Sequence, residues 1–194
     1  MSHAFDQEYI PVDDYLAGER DVDYRSEYVD GQIYAMVGAS ELHNTVATTL
    51  CSAIERELRD DCRVWQSDMK VRIDIGDKHF VYYPDIMAAC GENTADPYVR
   101  TNPILIVEVL SPSTKRTDFK EKFDNYINIP DLQEYVLVSQ DTPHLRIYRR
   151  RENWQAELYY AKDRFILESV GLKMAVADIY RRVRKEVGLE PGPG

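Results

Sequence analysis

The sequence predicts an α/β (α+β) fold, a mixed β-sheet flanked by helices, with an N-terminal β-hairpin. Three observations carry that expectation. Asp30-Gly31 stands between β-forming runs, the pattern of a tight hairpin turn. Leu42, Val46, Leu50, Ile54 and Leu58 recur every four residues and mark a long amphipathic helix. The apolar runs "ILIVEVL" and "EYVLVSQ" bracket a helical segment, the arrangement of a local parallel strand pair.

In chain order, a short helix is expected around Val12 to Ala17, then hairpin strands near 24–29 and 32–37. The first long helix is "SELHNTVATTLCSAIERELRD", with Ser40 placed as N-cap. "TVATT" is a weak helix former, so packing must hold it. "CRVWQ" and "MKVRIDI" read as strands, the second with Met69, Val71, Ile73 and Ile75 on one face and Lys70, Arg72 and Asp74 on the other. "GDKH" makes a turn, and Pro84 breaks the regularity of "FVYYPDIMAAC". "GENTADPYVRTNP" is a loop, "ILIVEVL" a buried strand and "SPSTKRTDFKEKFDNYINI" a second helix, its apolar stripe formed by Phe119, Phe123, Tyr126 and Ile127. "EYVLVSQ" is expected to be central, "HLRIYRR", "NWQAELYY" and "RFILES" antiparallel, and "VADIYRRVRKEV" a C-terminal helix. Residues 1–187 are expected to form a single domain and 188–194 a flexible tail.

With 194 residues, 44% hydrophobic and 30% charged, the chain has the composition of a soluble globular protein with a sizeable core. A net charge of −10 disfavours loose binding to nucleic acid or to an anionic membrane, so a polyanionic substrate would demand help from metal ions. Cys51, Cys62 and Cys90 form no C-x-x-C pair and are expected to be reduced thiols in a cytoplasmic protein. The N-terminus has no signal-peptide pattern, and no apolar run approaches the ~20 residues of a membrane span.

Two acids lie in or beside strands. Asp85 follows Pro84, and Glu108 interrupts "ILIVEVL". A buried, unpaired carboxylate is expensive. Adjacent strands can bring both acids to one hard divalent cation, which prefers oxygen ligands. The bland alternative leaves Glu108 at a sheet edge or paired with an arginine. Lys122 shares a helical stripe with Asp118 and Tyr126; it forms an i,i+4 pair with Asp118, or it stands over the two acids. Glu27, just before the Asp30-Gly31 turn, and His43, in the first turn of the long helix, mean little alone. The runs around Arg146, Arg149, Arg150 and Arg151, and from Arg181 to Lys185, are phosphate contacts or solvated faces. GxGxxG, Walker, G-x-S-x-G and HExxH patterns are absent, and a serine hydrolase fits poorly.

In order, "SEYVDGQIYAMVGAS-LH", "YPDI", "IVEVLSPST", "D-x3-K-x3-Y" and "EYVLV" resemble the Uma2 family (DUF820), restriction-endonuclease-like proteins of the PD-(D/E)XK nuclease superfamily. The resemblance covers about residues 10 to 175. It implies a restriction-endonuclease-like core and magnesium-dependent hydrolysis of DNA phosphodiester bonds. It implies Asp85 and Glu108 as Mg²⁺ ligands, with Mn²⁺ able to substitute, and Glu27 and Lys122 as further catalytic residues. His43 and Tyr126 are the substrate-binding candidates. DNA is the expected partner, a homodimer is plausible for cutting two strands, and no membrane is involved. One departure matters: the superfamily lysine belongs two residues after the acid, and that position is Leu110. Lys122 is the candidate to supply it from the following helix. The alternatives are a nuclease fold that binds without cutting, and a glycosidase using paired acids.

Overall fold

The computed structural model describes residues 9–92, 96–111 and 118–189. Asp30 and Gly31 both take positive φ, 44° and 95°, as a type I′ turn requires. The turn folds β1 (Ser26–Val29) onto β2 (Gln32–Ala35) in antiparallel register, Tyr28 opposite Ile33 and Glu27 opposite Tyr34. The hairpin is where the sequence puts it, though shorter at both open ends. The expected short helix is α1, Val12–Gly18.

The long helix is α2, Glu41–Glu57, capped by Ser40, whose Oγ accepts from the His43 N–H at 3.2 Å. Its Val46, Leu50, Ala53 and Ile54 are buried, so packing offsets the weak propensity of the threonines. Then come β3 (Cys62–Gln66), β4 (Lys70–Ile75), β5 (Lys78–Tyr82), β6 (Ile86–Cys90), β7 (Val99–Arg100) and β8 (Leu105–Leu110). β7 is a two-residue strand in the segment read as loop; it pairs parallel with β4. Pro84 does more than break a strand: β5 and β6, on either side of it, belong to different sheets.

After β8, residues 112–117 lie outside the described residues, Ser113 among them. From Asp118 the backbone departs from the expected regular α-helix. A π turn, Asp118–Lys122, runs into a single α turn, α3, Phe123–Tyr126. A π turn adds a residue to the helical cycle and so re-aims its side chains; such turns often occur at functional sites. Here Lys122 and Tyr126 are both buried. β9 (Glu134–Ser139), β10 (His144–Arg149), β11 (Ala156–Tyr160) and β12 (Arg164–Leu167) come next, as expected. A further strand, β13 (Leu172–Ala175), pairs with β12 alone. The C-terminal helix is α-helical only over α4, Val176–Ile179. Beyond it the backbone continues in turns, which keep Val183 and Val187 buried while the like-charged Arg181, Arg182, Arg184 and Lys185 stay exposed. Residues 190–194 of the expected tail lie outside the described residues.

The sheet is thus divided. One sheet has the order β2-β1-β5-β4-β7, a second β11-β10-β9-β8-β6-β3, and β12-β13 form a third. The first two are mixed, and β8 and β9 are the parallel central pair of the second. Alternation along β8 sorts its residues. Leu105, Val107 and Val109 enter the core shared with α2 and α4, whereas Ile106 and Leu110 enter the core shared with β4, β5 and α3. Glu108 has the parity of Ile106 and Leu110, so it faces this second layer.

Cys62 and Cys90 sit opposite each other on β3 and β6 and form a disulfide, which corrects the reading of all three cysteines as reduced. The reading failed because cross-strand register, not sequence spacing, brings two cysteines together. Cys51 is free. Lys70, assigned to a polar face, is buried, with its ammonium 5.1 Å from the Tyr83 ring centroid. Among the described residues no helix is long and apolar enough to cross a membrane.

Candidate active site

The antiparallel β6–β8 ladder ends at Ile86 opposite Val107. One residue further, the chain before β6 turns away at Pro84, and Asp85 and Glu108 stand where the two strands part. Glu108 is 3% exposed. Its Oε2 accepts from the backbone N–H of Asp85 at 3.3 Å. Its Oε1 accepts from the Tyr126 hydroxyl at 2.9 Å and lies 3.5 Å from Lys122 Nζ. Asp85 Oδ2 accepts from the Val109 N–H at 2.7 Å and lies 3.1 Å from His43 Nε2. Each acid therefore holds the other's strand.

Glu27 enters from β1. Its Oε1 accepts from Lys122 Nζ at 2.8 Å and from the Tyr83 N–H at 3.3 Å. Lys122 also stands 5.4 Å from the centroid of the Tyr82 ring, a cation–π contact. The Tyr82 hydroxyl accepts from Asn125 at 2.7 Å and donates to Glu121 at 3.3 Å. Burial pushes the Tyr126 hydroxyl well above the usual tyrosine range, and the Glu108 charge adds to it. Burial likewise raises Tyr82, with Glu121 next in effect. Both stay protonated hydrogen-bond donors at neutral pH.

All six residues singled out in the sequence, Glu27, His43, Asp85, Glu108, Lys122 and Tyr126, converge in one connected network. They come from β1, the first turn of α2, the Pro84 break, β8, the π turn and α3. Leu110, at the usual lysine position, is buried in the apolar layer. Tyr82, Tyr83 and Asn125 were not anticipated; the pair Tyr82-Tyr83 just before Pro84-Asp85 was their only sequence signal. The basic run Arg149 to Arg151, at the end of β10 and just after it, is engaged within the fold instead. Arg149 pairs with Glu134 at 2.9 Å, Arg150 donates to the Leu132 carbonyl at 2.7 Å, and Arg151 pairs with Glu168 at 2.8 Å.

The donor set suits a hard cation. Asp85 Oδ1 makes no hydrogen bond among the described residues. The N–H and C=O of a strand residue leave on the same side, so the Val109 carbonyl faces Asp85 as its N–H does. With Glu108 the available ligand atoms are all oxygen, which fits Mg²⁺ with water completing its shell.

Residues 12–177 match the Uma2 family, described as "Putative restriction endonuclease". The chain belongs to the Uma2 family. All six network residues lie inside the matched span. This Uma2 chain is also similar to two proteins of Synechocystis sp. (strain PCC 6803) described as uncharacterized. Protein slr1290 is 36% identical over 177 residues, covering 89% of this chain and 92% of that one. Protein sll1609 is 34% identical over 141 residues, covering 71% and 78%. The fold is also similar to a crystal structure from Anabaena variabilis ATCC 29413, described as "a putative nuclease belonging to DUF820". The TM-score is 0.70 at 18% identity, covering 89% of this chain and 98% of that one.

Proposed function

We propose that this Uma2 protein is a metal-dependent endonuclease that hydrolyses DNA phosphodiester bonds, with its lysine supplied from the π turn after β8. The observation that carries the reading is the reach of Lys122 Nζ to Glu108 (3.5 Å) and Glu27 (2.8 Å), which supports Lys122 as the stand-in for a lysine at the Leu110 position.

Asp85, Glu108 and the Val109 carbonyl would hold Mg²⁺, for which Mn²⁺ can stand in. When bound, the ion lowers the pKa of a coordinated water and neutralises charge on the scissile phosphate. The protein groups do the rest. Lys122 offers its N–H donors to the water or to a phosphoryl oxygen as negative charge grows there. Glu27 keeps the ammonium in place. Tyr126 fixes one oxygen of Glu108, and His43, on the capped first turn of α2, steadies Asp85. The proposal sets the protein in the cytoplasm with its DNA, and a homodimer would give one centre per strand.

A second reading, a nuclease fold that binds without cutting, draws on the net charge of −10 and on Leu110. Cleavage of supercoiled plasmid and single-stranded DNA in Mg²⁺, Mn²⁺ or EDTA decides between them, with Asp85→Ala, Glu108→Ala and Lys122→Ala beside the wild type. Metal-dependent cleavage lost in all three variants is the expected result. Cleavage that survives Lys122→Ala rejects the migrated lysine. A folded wild type that neither cleaves nor binds Mn²⁺ by calorimetry moves the assignment to the second reading.

A further inference from the structure

We infer that Tyr34 is a stacking platform for an unpaired nucleobase of the strand whose phosphate reaches the acid centre, so that single-stranded or locally opened DNA is preferred over intact duplex. The inference rests on the nuclease reading. Tyr34 is the direct antiparallel partner of Glu27. Directly opposed residues project to the same face of a sheet with Cβ atoms about 5 Å apart. The Tyr34 side chain therefore leaves the sheet on the side where Glu27 meets Lys122.

Tyr34 is 55% exposed, whereas Tyr28, Tyr82, Tyr126 and Tyr135 are fully buried. Its hydroxyl makes no hydrogen bond among the described residues. The backbone beneath it is held firmly. The Met36 N–H donates to the Arg25 carbonyl at 2.9 Å, and Arg25 Nη1 donates to the Ser67 carbonyl at 2.6 Å. The Ser67 N–H in turn donates to the Asp85 carbonyl at 3.2 Å, which ties hairpin and acid centre together.

An exposed, positioned ring one residue pair from a phosphate-directed centre suits a base, which lies one sugar away from its phosphate. Stacking is sequence-tolerant and needs no positive charge, so it suits a chain with a net charge of −10. A base inside a duplex has both faces covered by its neighbours, hence the demand for an unpaired one. Among the described residues β2 is also an edge strand, a place where a second copy could pair. Such pairing runs in the plane of the sheet, along the ladder, and leaves the faces of the sheet uncovered.

The test uses single-stranded and duplex oligonucleotides carrying one 2-aminopurine, titrated with wild type, Tyr34→Ala, Tyr34→Phe and Tyr34→Trp. Readings are taken in Mg²⁺ before cleavage and repeated in EDTA, with light scattering on each variant. Expected are tighter binding of the single strand, 2-aminopurine quenching by wild type, Phe and Trp variants, and roughly tenfold weaker binding without quenching for Tyr34→Ala. Unchanged affinity in Tyr34→Ala overturns the inference, as does a change in oligomeric state alone, which would make this edge a contact between copies. The two readings fail separately. A wild type that quenches 2-aminopurine but never cleaves refutes the nuclease and leaves the platform; one that cleaves but ignores position 34 does the reverse.

Discussion

Lys122 and Glu27, 95 residues apart in sequence, meet at 2.8 Å between the π turn and the N-terminal hairpin. The pair is largely buried, with side chains 8% and 16% exposed, and Glu108 beside it is 3% exposed. Removing one partner of a buried pair leaves an uncompensated charge.

Lys122→Met is therefore expected to cost about 3–5 kcal/mol of stability. Adding Glu27→Gln on top should recover part of that loss. Urea denaturation of the two single variants and the double variant measures the coupling. A Lys122→Met loss under about 1 kcal/mol would mean that the ammonium is solvated and the pair incidental.

Arg149 and Glu134 form a second buried pair, away from the acid centre. Their side chains are 4% and 2% exposed, and Glu134 Oε2 also accepts from the Ser169 N–H at 2.9 Å. Arg149→Ala is expected to cost a similar 3–5 kcal/mol, roughly, for the same reason. Below the melting transition, plasmid cleavage by the folded fraction should match wild type. Loss of cleavage in a fully folded Arg149→Ala protein would contradict the separation of the two networks.

The Cys62–Cys90 bond closes a loop with a sequence separation of 28. By chain entropy it contributes about 3–4 kcal/mol. Guanidinium unfolding with and without dithiothreitol, in a Cys51→Ser background, should show a midpoint shift of that order. Equal midpoints would mean that the two thiols are reduced in solution. In a reducing environment the bond would be open to cleavage, and the fold would rest on the margin that remains.

Carboxyl groups held below the usual range, Glu157 and Asp74 among them, shape the acid limb. Burial raises Glu157, but hydrogen bonds from Arg149 and Tyr159 outweigh it and hold the carboxyl below the usual range. Asp74 obeys the same balance, with His79 and Arg72 as donors. A folded-state pKa below the unfolded value gives stability that is present above about pH 4 and lost as pH falls through the folded value. Melting temperature should fall as pH drops below about 4, and the fall should be shallower in Asp74→Asn. An identical acid limb in that variant would show that Asp74 contributes nothing to it.

Much was legible from residues alone. Asp30-Gly31 permits one turn geometry, and apolar period settles α2 and β8, because both effects are local. Ser40 as cap was readable for the same reason. Asp85 and Glu108 are legible as paired acids from their places in or beside strands; Glu27 and Lys122 take their roles from likeness to a family pattern, since spacing alone leaves Lys122 divided between an Asp118 pair and the acid centre.

Tertiary structure decided the remainder, since each case turns on which distant segment arrives at a given point. The strand order set Cys62 against Cys90 and placed Tyr34 beside Glu27. Pro84 sent its two flanking strands to different sheets, which opened the gap where Asp85 and Glu108 stand. The π turn overrode the helical pattern of "DFKEKFDNY", where Lys122 meets Glu27 and Glu108. Local propensity amounts to tenths of a kcal/mol per residue, whereas an unpaired buried carboxylate costs several. By itself the sequence determined most of the elements and where the candidate side chains lie along them; long-range packing determined which of those side chains meet.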